Sequence, residues 1–236
     1  LYKYTSSFWQ LEEALGLRVD QIGNNDLTAN AAPGNAVGII GNALSLVGAS
    51  VQSASITDVA QLGLNPGTDD FSISTWIYPT TITGTGAYTI VSKGNSNNAG
   101  APAPGYNVFL MGTSNGLSPG KIRITFGGPP SNVTGLFFAT SFEPPLNTWT
   151  HVVATFDREG KGKIYCNGVL GTPCLTPGNF TGFDDMSHLG DTTGDTTTAA
   201  PFAIGSATDF AAGLIGSNFD GRIDATLFAR TVFNQQ

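Results

Sequence analysis

The sequence predicts an all-β protein, an antiparallel two-sheet β-sandwich of about a dozen strands. Three observations predict it. Gly and Pro recur roughly every eight to twelve residues, the spacing of turns between short strands. The segments between them are rich in Val, Ile, Phe, Tyr and Thr and alternate well enough for one face to point inward and the other outward. Helical periodicity is nearly absent.

In chain order the strand candidates are NALSLVG from Asn42, DFSISTWIYP from Asp70, YTIVSKG from Tyr88, YNVFLMG from Tyr106 and KIRITFGG from Lys121. LFFATSF from Leu136, TWTHVVATFD from Thr148, KIYCNGVL from Lys163, FAIGSA from Phe202 and GRIDATLFAR from Gly221 complete the set. In the last, plain alternation places Ile223, Ala225, Leu227 and Ala229 on one face, with Arg222, Asp224, Thr226, Phe228 and Arg230 on the other. TDVAQLGL from Thr57 and LEEALGL from Leu11 are short enough for one helical turn each. The stretches 94–105 and 184–200 read as longer loops, because small polar residues with Pro or Gly leave little to bury. No internal repeat is evident, and residues 1–236 are expected to form a single domain.

The two cysteines, Cys166 and Cys174, lie in KIYCNGVLGTPC. Asn167-Gly168 is the favoured pair for a two-residue hairpin loop, which sets Cys166 opposite Val169. Continued extension would carry Cys174 roughly 16 Å away, beyond disulfide reach. A bridge requires the strand to end near Leu170 and Thr172-Pro173 to fold the chain back, so free thiols are the slightly favoured reading.

Charged residues make up 11% of the chain, less than half the usual share, so hydroxyls and amides carry solubility. The formal net charge of −7 argues against a nucleic-acid partner, which demands a basic stripe, and no such stripe appears in the sequence. Apolar residues come in short runs, so no membrane-spanning helix is expected. The chain starts at Leu1 with no charged-then-apolar leader, which predicts a processed or trimmed chain. Few lysines and many Thr, Asn and Gly point to an extracellular, cell-surface or virion-surface setting.

Several segments, taken in order, resemble the laminin G-like, concanavalin A-like jelly roll of lectins and glucanases. FWQLEE is similar to that family's opening aromatic, Leu and acid; VDQIGNNDLT to its Asp-x-x-Gly-Asn loop; GNALSLVG to its Gly-x-Ala-Leu strand. DFSISTWIYP, NTWTHVVATFD, KIYCNG and FDGRIDATLFAR resemble its later strands, and the matches span residues 8 to 230. The resemblance implies a jelly roll far better than it implies a function. It also implies that Trp76 and Trp149 are core residues; Trp9 is left open.

In many relatives a structural calcium ties the N-terminal loop to the closing strand. The resemblance maps its ligands to Asp20 and Asp224, with Asn25 as a weaker addition, and calcium wants six to eight hard oxygens. The equal alternative is that Asp20 and Asn24 stabilise turns through side-chain-to-backbone hydrogen bonds. Glu12 and Glu13 make a poor glycosidase pair, since neighbours on a strand point to opposite faces. KIRITFGG and LFFATSF lack the acids that catalytic relatives carry on a central strand, and no Gly-x-Ser-x-Gly elbow accompanies His151 or His188. The acids Asp184, Asp185, Asp191 and Asp195 read as a solvated loop. Tyr106, Asn97 and Asn98 are weak candidates for ligand contact, and Asn132 and Asn179 fit the glycosylation pattern.

The sequence therefore predicts no enzyme but a recognition or adhesion module, glycan-facing and calcium-stabilised, with a glycan or surface protein as partner. The alternative is a structural subunit of a filament, sheath or virion that associates with copies of itself into a homo-oligomer or polymer. A glycoside hydrolase comes third.

Overall fold

Period-two alternation becomes a sandwich only when each strand finds a neighbour for its backbone and a facing sheet for its apolar side. The computed structural model describes residues 5–94, 104–116, 118–127, 136–174, 196–207 and 218–233. Among them are two sheets of eight and nine strands, with every strand pairing antiparallel.

The first sheet runs β14 (Val169–Leu170), β13 (Gly162–Cys166), β12 (Thr150–Phe156), β7 (Phe71–Pro79), β17 (Gly221–Ala229), β5 (Asn42–Leu46) and β4 (Gly34–Val37), with β1 (Thr5–Trp9) also paired to β17. The second runs β15 (Pro173–Cys174), β11 (Leu136–Thr140), β10 (Ile122–Gly127), β9 (Gly105–Met111), β8 (Ala87–Gly94), β16 (Phe202–Ile204), β6 (Ser53–Ile56), β3 (Leu27–Asn30) and β2 (Leu17–Arg18). The predicted β-sandwich is therefore present, with more strands than the expected dozen: β1 to β4, β6 and β15 are not among the candidates.

Strand β17 organises the first sheet. Strand β7 lies along one edge, while β5 pairs Gly221–Ile223 and β1 pairs Thr226–Ala229 on the other. Between those two partners the register slips by one residue, from Asp224 opposite Trp76 to Leu227 opposite Ser74. Ala225, the extra residue of this bulge, adopts the left-handed φ of +45°. The predicted faces are corrected accordingly. Ile223 faces the core as expected, but beyond the bulge Phe228 turns inward and Leu227 outward. A second slip between Thr89 and Val91 lets adjacent Ile90 and Val91 both reach the core.

Phe71 joins the two sheets: its ring stacks on Phe156 at 4.1 Å, lies 5.7 Å from Phe228 and meets Tyr106 of the facing sheet at 4.9 Å. The Tyr106 hydroxyl donates to the Leu64 carbonyl at 2.8 Å, and burial raises its pKa well above the ordinary tyrosine value. Tyr106 is thus a core residue and not an exposed ligand contact. Trp9 is wholly buried, stacks on Phe202 at 5.1 Å and donates its indole N–H to the Asn25 carbonyl at 2.7 Å.

Helical structure around Thr57 is a single 3-10 turn, Asp58–Ala60, with no side-chain cap from Thr57. The LEEALGL stretch forms no helix. Leu11 has φ +63°, and the two glutamates bond to backbone N–H groups elsewhere, Glu12 to Asn42 at 2.7 Å and Glu13 to Val19 at 2.9 Å. A side chain that satisfies a distant backbone donor competes with local helix formation. These two carboxylates are committed to separate segments, Glu12 to β5 and Glu13 to the residue after β2, so they form no acid pair.

The Asn167-Gly168 loop behaves as expected: both residues have positive φ, and Cys166 pairs with Val169. Cys166 is a free, buried thiol whose pKa burial pushes up to about 12. The chain then leaves the first sheet and enters the second at β15, where Cys174 pairs with Ala139.

An aromatic face as the candidate functional site

The segment FSISTWIYP carries large apolar groups at both parities, so its alternation does not say which face is inner. The bulged β17 and the hairpin strand β12 decide it. Phe71, Ile73 and Ile77 enter the core, and Ser74, Trp76 and Tyr78 point outward, half-buried. The expectation that Trp76 and Trp149 are core residues is therefore corrected: both are half-buried on the outer side, and Trp9 is the buried tryptophan.

Strand pairing places the outer side chains in rows, because directly opposed residues on adjacent strands share a face. His151, Trp76 and Asp224 form one row across β12, β7 and β17; Tyr78 and Arg222 begin the next. The His151 ring stacks on Trp76 at 4.9 Å and shares a 2.8 Å hydrogen bond between Nε2 and Ser74 Oγ. Burial lowers the His151 pKa below the usual imidazole value, so the ring is neutral near pH 7. Trp149 meets Tyr78 at 5.4 Å in a tilted pair, and the Arg222 guanidinium lies over the Tyr78 ring at 4.9 Å. One Arg222 N–H donates to the Val37 carbonyl at 3.1 Å, which fixes the guanidinium in place. The result is an open, ordered aromatic surface with one neutral imidazole and one oriented cation. Residue pattern alone missed it; the register of β12 against β7 is what assembles it.

Among the described residues the outer face of the second sheet offers no comparable surface. Asn107, Phe109, Arg123 and Thr125 there are all buried, and burial lowers the Arg123 pKa to about 10.

The sequence-predicted metal ligands fall into two separate networks. Asp20 Oδ1 accepts N–H groups from Phe8 at 2.9 Å, Ile22 at 3.1 Å and Gly23 at 3.0 Å, while Oδ2 accepts that of Asn25 at 3.1 Å. Gly23 is required here, because a Cβ would lie 2.6 Å from Asp20 Oδ2. The Asn25 amide bonds to Ser7 Oγ and to both backbone groups of Leu62. Asp224 is 1% exposed and its Oδ2 accepts the Ile39 N–H at 2.8 Å, with Gly38 in close approach. Burial raises the Asp224 pKa, partly offset by backbone N–H donors. Carboxylate oxygens surrounded by N–H groups present the positive ends of dipoles to any cation. Among the described residues no three of His, Cys, Asp and Glu come together. Asp20, with both oxygens engaged by backbone N–H groups, is as arranged a poor donor for calcium. Asn97, Asn98, Asn132, Asn179, His188 and the acids 184–195 lie outside the described residues.

A two-layer antiparallel sandwich with an outer aromatic platform defines the class of protein: a β-sandwich of lectin-like architecture. The chain belongs to the Laminin_G_3 family of the concanavalin A-like lectin/glucanases superfamily, whose pattern matches residues 49–236. No protein of curated function matches it by sequence. Among solved structures, domain 4 of AbnA, a GH43 extracellular arabinanase from Geobacillus stearothermophilus in complex with arabinotriose, superposes with a TM-score of 0.62 at 19% identity, covering 98% of this chain and 95% of that one. The binding domain of Paraclostridial Mosquitocidal Protein 1 gives a TM-score of 0.71 at 15% identity, covering 99% of this chain and 50% of that one. A Trypanosoma rangeli sialidase in complex with the inhibitor DANA gives 0.57 at 13% identity, covering 98% of this chain and 31% of that one. The chain thus spans half or less of the latter two structures, and at these identities the likeness is one of fold. No helix among the described residues is long and apolar enough to cross a membrane.

Proposed function

We propose that the whole chain acts as one non-enzymatic recognition module, extracellular or surface-borne, that binds a glycan across the Trp76–Tyr78 face. The observation that carries this reading is the pairing of Trp76 with His151 and of Tyr78 with Trp149 on adjacent strands, with Arg222 held beside them. Sugar rings present apolar C–H faces bordered by hydroxyls, and half-buried aromatics next to fixed polar groups suit both. The arabinotriose-bound domain from the Geobacillus enzyme supports the choice of ligand class. Binding without hydrolysis is supported by the state of the acids near this face: Asp224 is buried against backbone donors and Glu12 is occupied by Asn42.

Glycan-array screening followed by calorimetry tests the reading. Trp76→Ala and Tyr78→Ala are each expected to weaken binding about tenfold or more, as loss of an aromatic anchor does. Their melting temperatures should stay close to that of the parent. Unchanged affinity in both variants would refute this face as the site.

A second reading, self-association into a homo-oligomer or polymer, is favoured by exposed apolar side chains at Leu15, Val37 and Ile40, which are 83%, 71% and 75% accessible. Sedimentation that finds only monomer up to high concentration excludes it.

A further inference from the structure

Building on the glycan-binding reading of this face, we propose that its ligand is a carboxylate-bearing sugar and that Arg222 receives the carboxylate. Arg222 is presented for this role from two sides. Its guanidinium lies over Tyr78 at 4.9 Å, and Nη1 is tied to the Val37 carbonyl at 3.1 Å. The remaining N–H groups donate to no residue among those described. A guanidinium tethered through one terminal nitrogen keeps its Nε–Nη2 edge open. That edge is the pair of parallel donors that matches two carboxylate oxygens.

The charges around Arg222 point the same way. Asp220, at the start of β17, accepts the Thr80 hydroxyl at 2.6 Å and the Gly48 N–H at 3.3 Å. Asp224, one row away, is buried against Ile39. Glu12 is engaged behind the β4–β5 turn, and Gly41 there leaves no room for a side chain beside its carboxylate. His151 is neutral, and Lys163 stands towards the other end of the same face. At the Tyr78 end the acids Asp220, Asp224 and Glu12 each already accept protein donors, and the cation Arg222 is the charged group whose remaining N–H groups donate to no described residue. It sits within an otherwise acidic chain of net charge −7, where an anionic ligand gains little from long-range attraction and must be recognised locally. An acidic sugar satisfies both parts of the surface. Its ring lies on the aromatics, and its carboxylate makes the charge-assisted contact that a neutral sugar cannot.

The test is calorimetry on the full chain with trigalacturonate and 3′-sialyllactose, each against its neutral counterpart, galactotriose or lactose, at about 50 and about 500 mM salt. At least one acidic probe is expected to bind roughly tenfold tighter than its neutral counterpart at low salt, with the margin narrowing at high salt. Binding of trigalacturonate alone assigns a uronate, of sialyllactose alone a nonulosonate, and of both the carboxylate itself. Arg222→Gln should abolish the margin and Arg222→Lys should retain part of it, with melting temperatures confirming that both are folded. Equal affinity for acidic and neutral probes, or an Arg222→Gln protein that keeps the margin, overturns the proposal while the glycan-binding face stands. Failure of every probe to bind the parent overturns both.

Discussion

Ile223 and Phe228 both face the core although they stand five positions apart in one strand, a spacing that strict alternation forbids. The bulge at Ala225, with φ +45°, supplies the missing residue. It lies where β17 changes partner from β5 to β1. Ala225→Val places a β-branched residue at positive φ, and is expected to cost about 1–3 kcal/mol in urea unfolding. A smaller loss would mean that the bulge relaxes without strain.

The four backbone N–H groups on Asp20 do the work of closing the N-terminal loop onto β1. Chelation is therefore expected to leave the melting temperature unchanged, whereas Asp20→Ala should cost about 2 kcal/mol or more by orphaning buried donors. A fall in melting temperature with chelator, restored by calcium, would show a stabilising metal that this arrangement does not accommodate.

Arg18 is fully buried, and Nε, Nη1 and Nη2 all lack a hydrogen-bond partner. Burial lowers its pKa, and the nearby Glu13 only partly compensates. A buried guanidinium with no acceptor is a net cost, so Arg18→Met is expected to be neutral or to stabilise the fold by about 1 kcal/mol or more. Clear destabilisation in thermal unfolding would reveal an acceptor, such as an internal water, that satisfies the guanidinium.

His151 gives the aromatic face a pH dependence. Its folded-state pKa lies below the unfolded value of about 6.5, because burial against Trp76 disfavours the imidazolium. The native state then binds fewer protons than the unfolded chain. The His151 contribution to stability is present above about pH 6.5 and lost as pH falls through the folded-state value. Urea unfolding of the parent and of His151→Gln, compared from pH 7.5 down to about pH 5, should show a steeper loss in the parent. Parallel curves would contradict a desolvated imidazole.

The sequence by itself determined the all-β class, the long strands and the Asn167-Gly168 hairpin, because alternation and turn chemistry are local properties of the chain. Short strands such as β2 and β15, two residues each, carry no periodicity and exist only because a neighbour supplies their hydrogen bonds. Tertiary structure decided the candidate site. In FSISTWIYP the residues at either parity are fit for a core, and only pairing with β12 and β17 turned Ile77 inward and Trp76 outward. The β7–β17 register also placed Arg222 over Tyr78, while other long-range contacts buried Trp9 and Tyr106 and engaged both oxygens of Asp20 and Oδ2 of Asp224 with backbone donors. Register, bulges and long-range hydrogen bonds depend on residues far apart in sequence, so no local pattern could announce them.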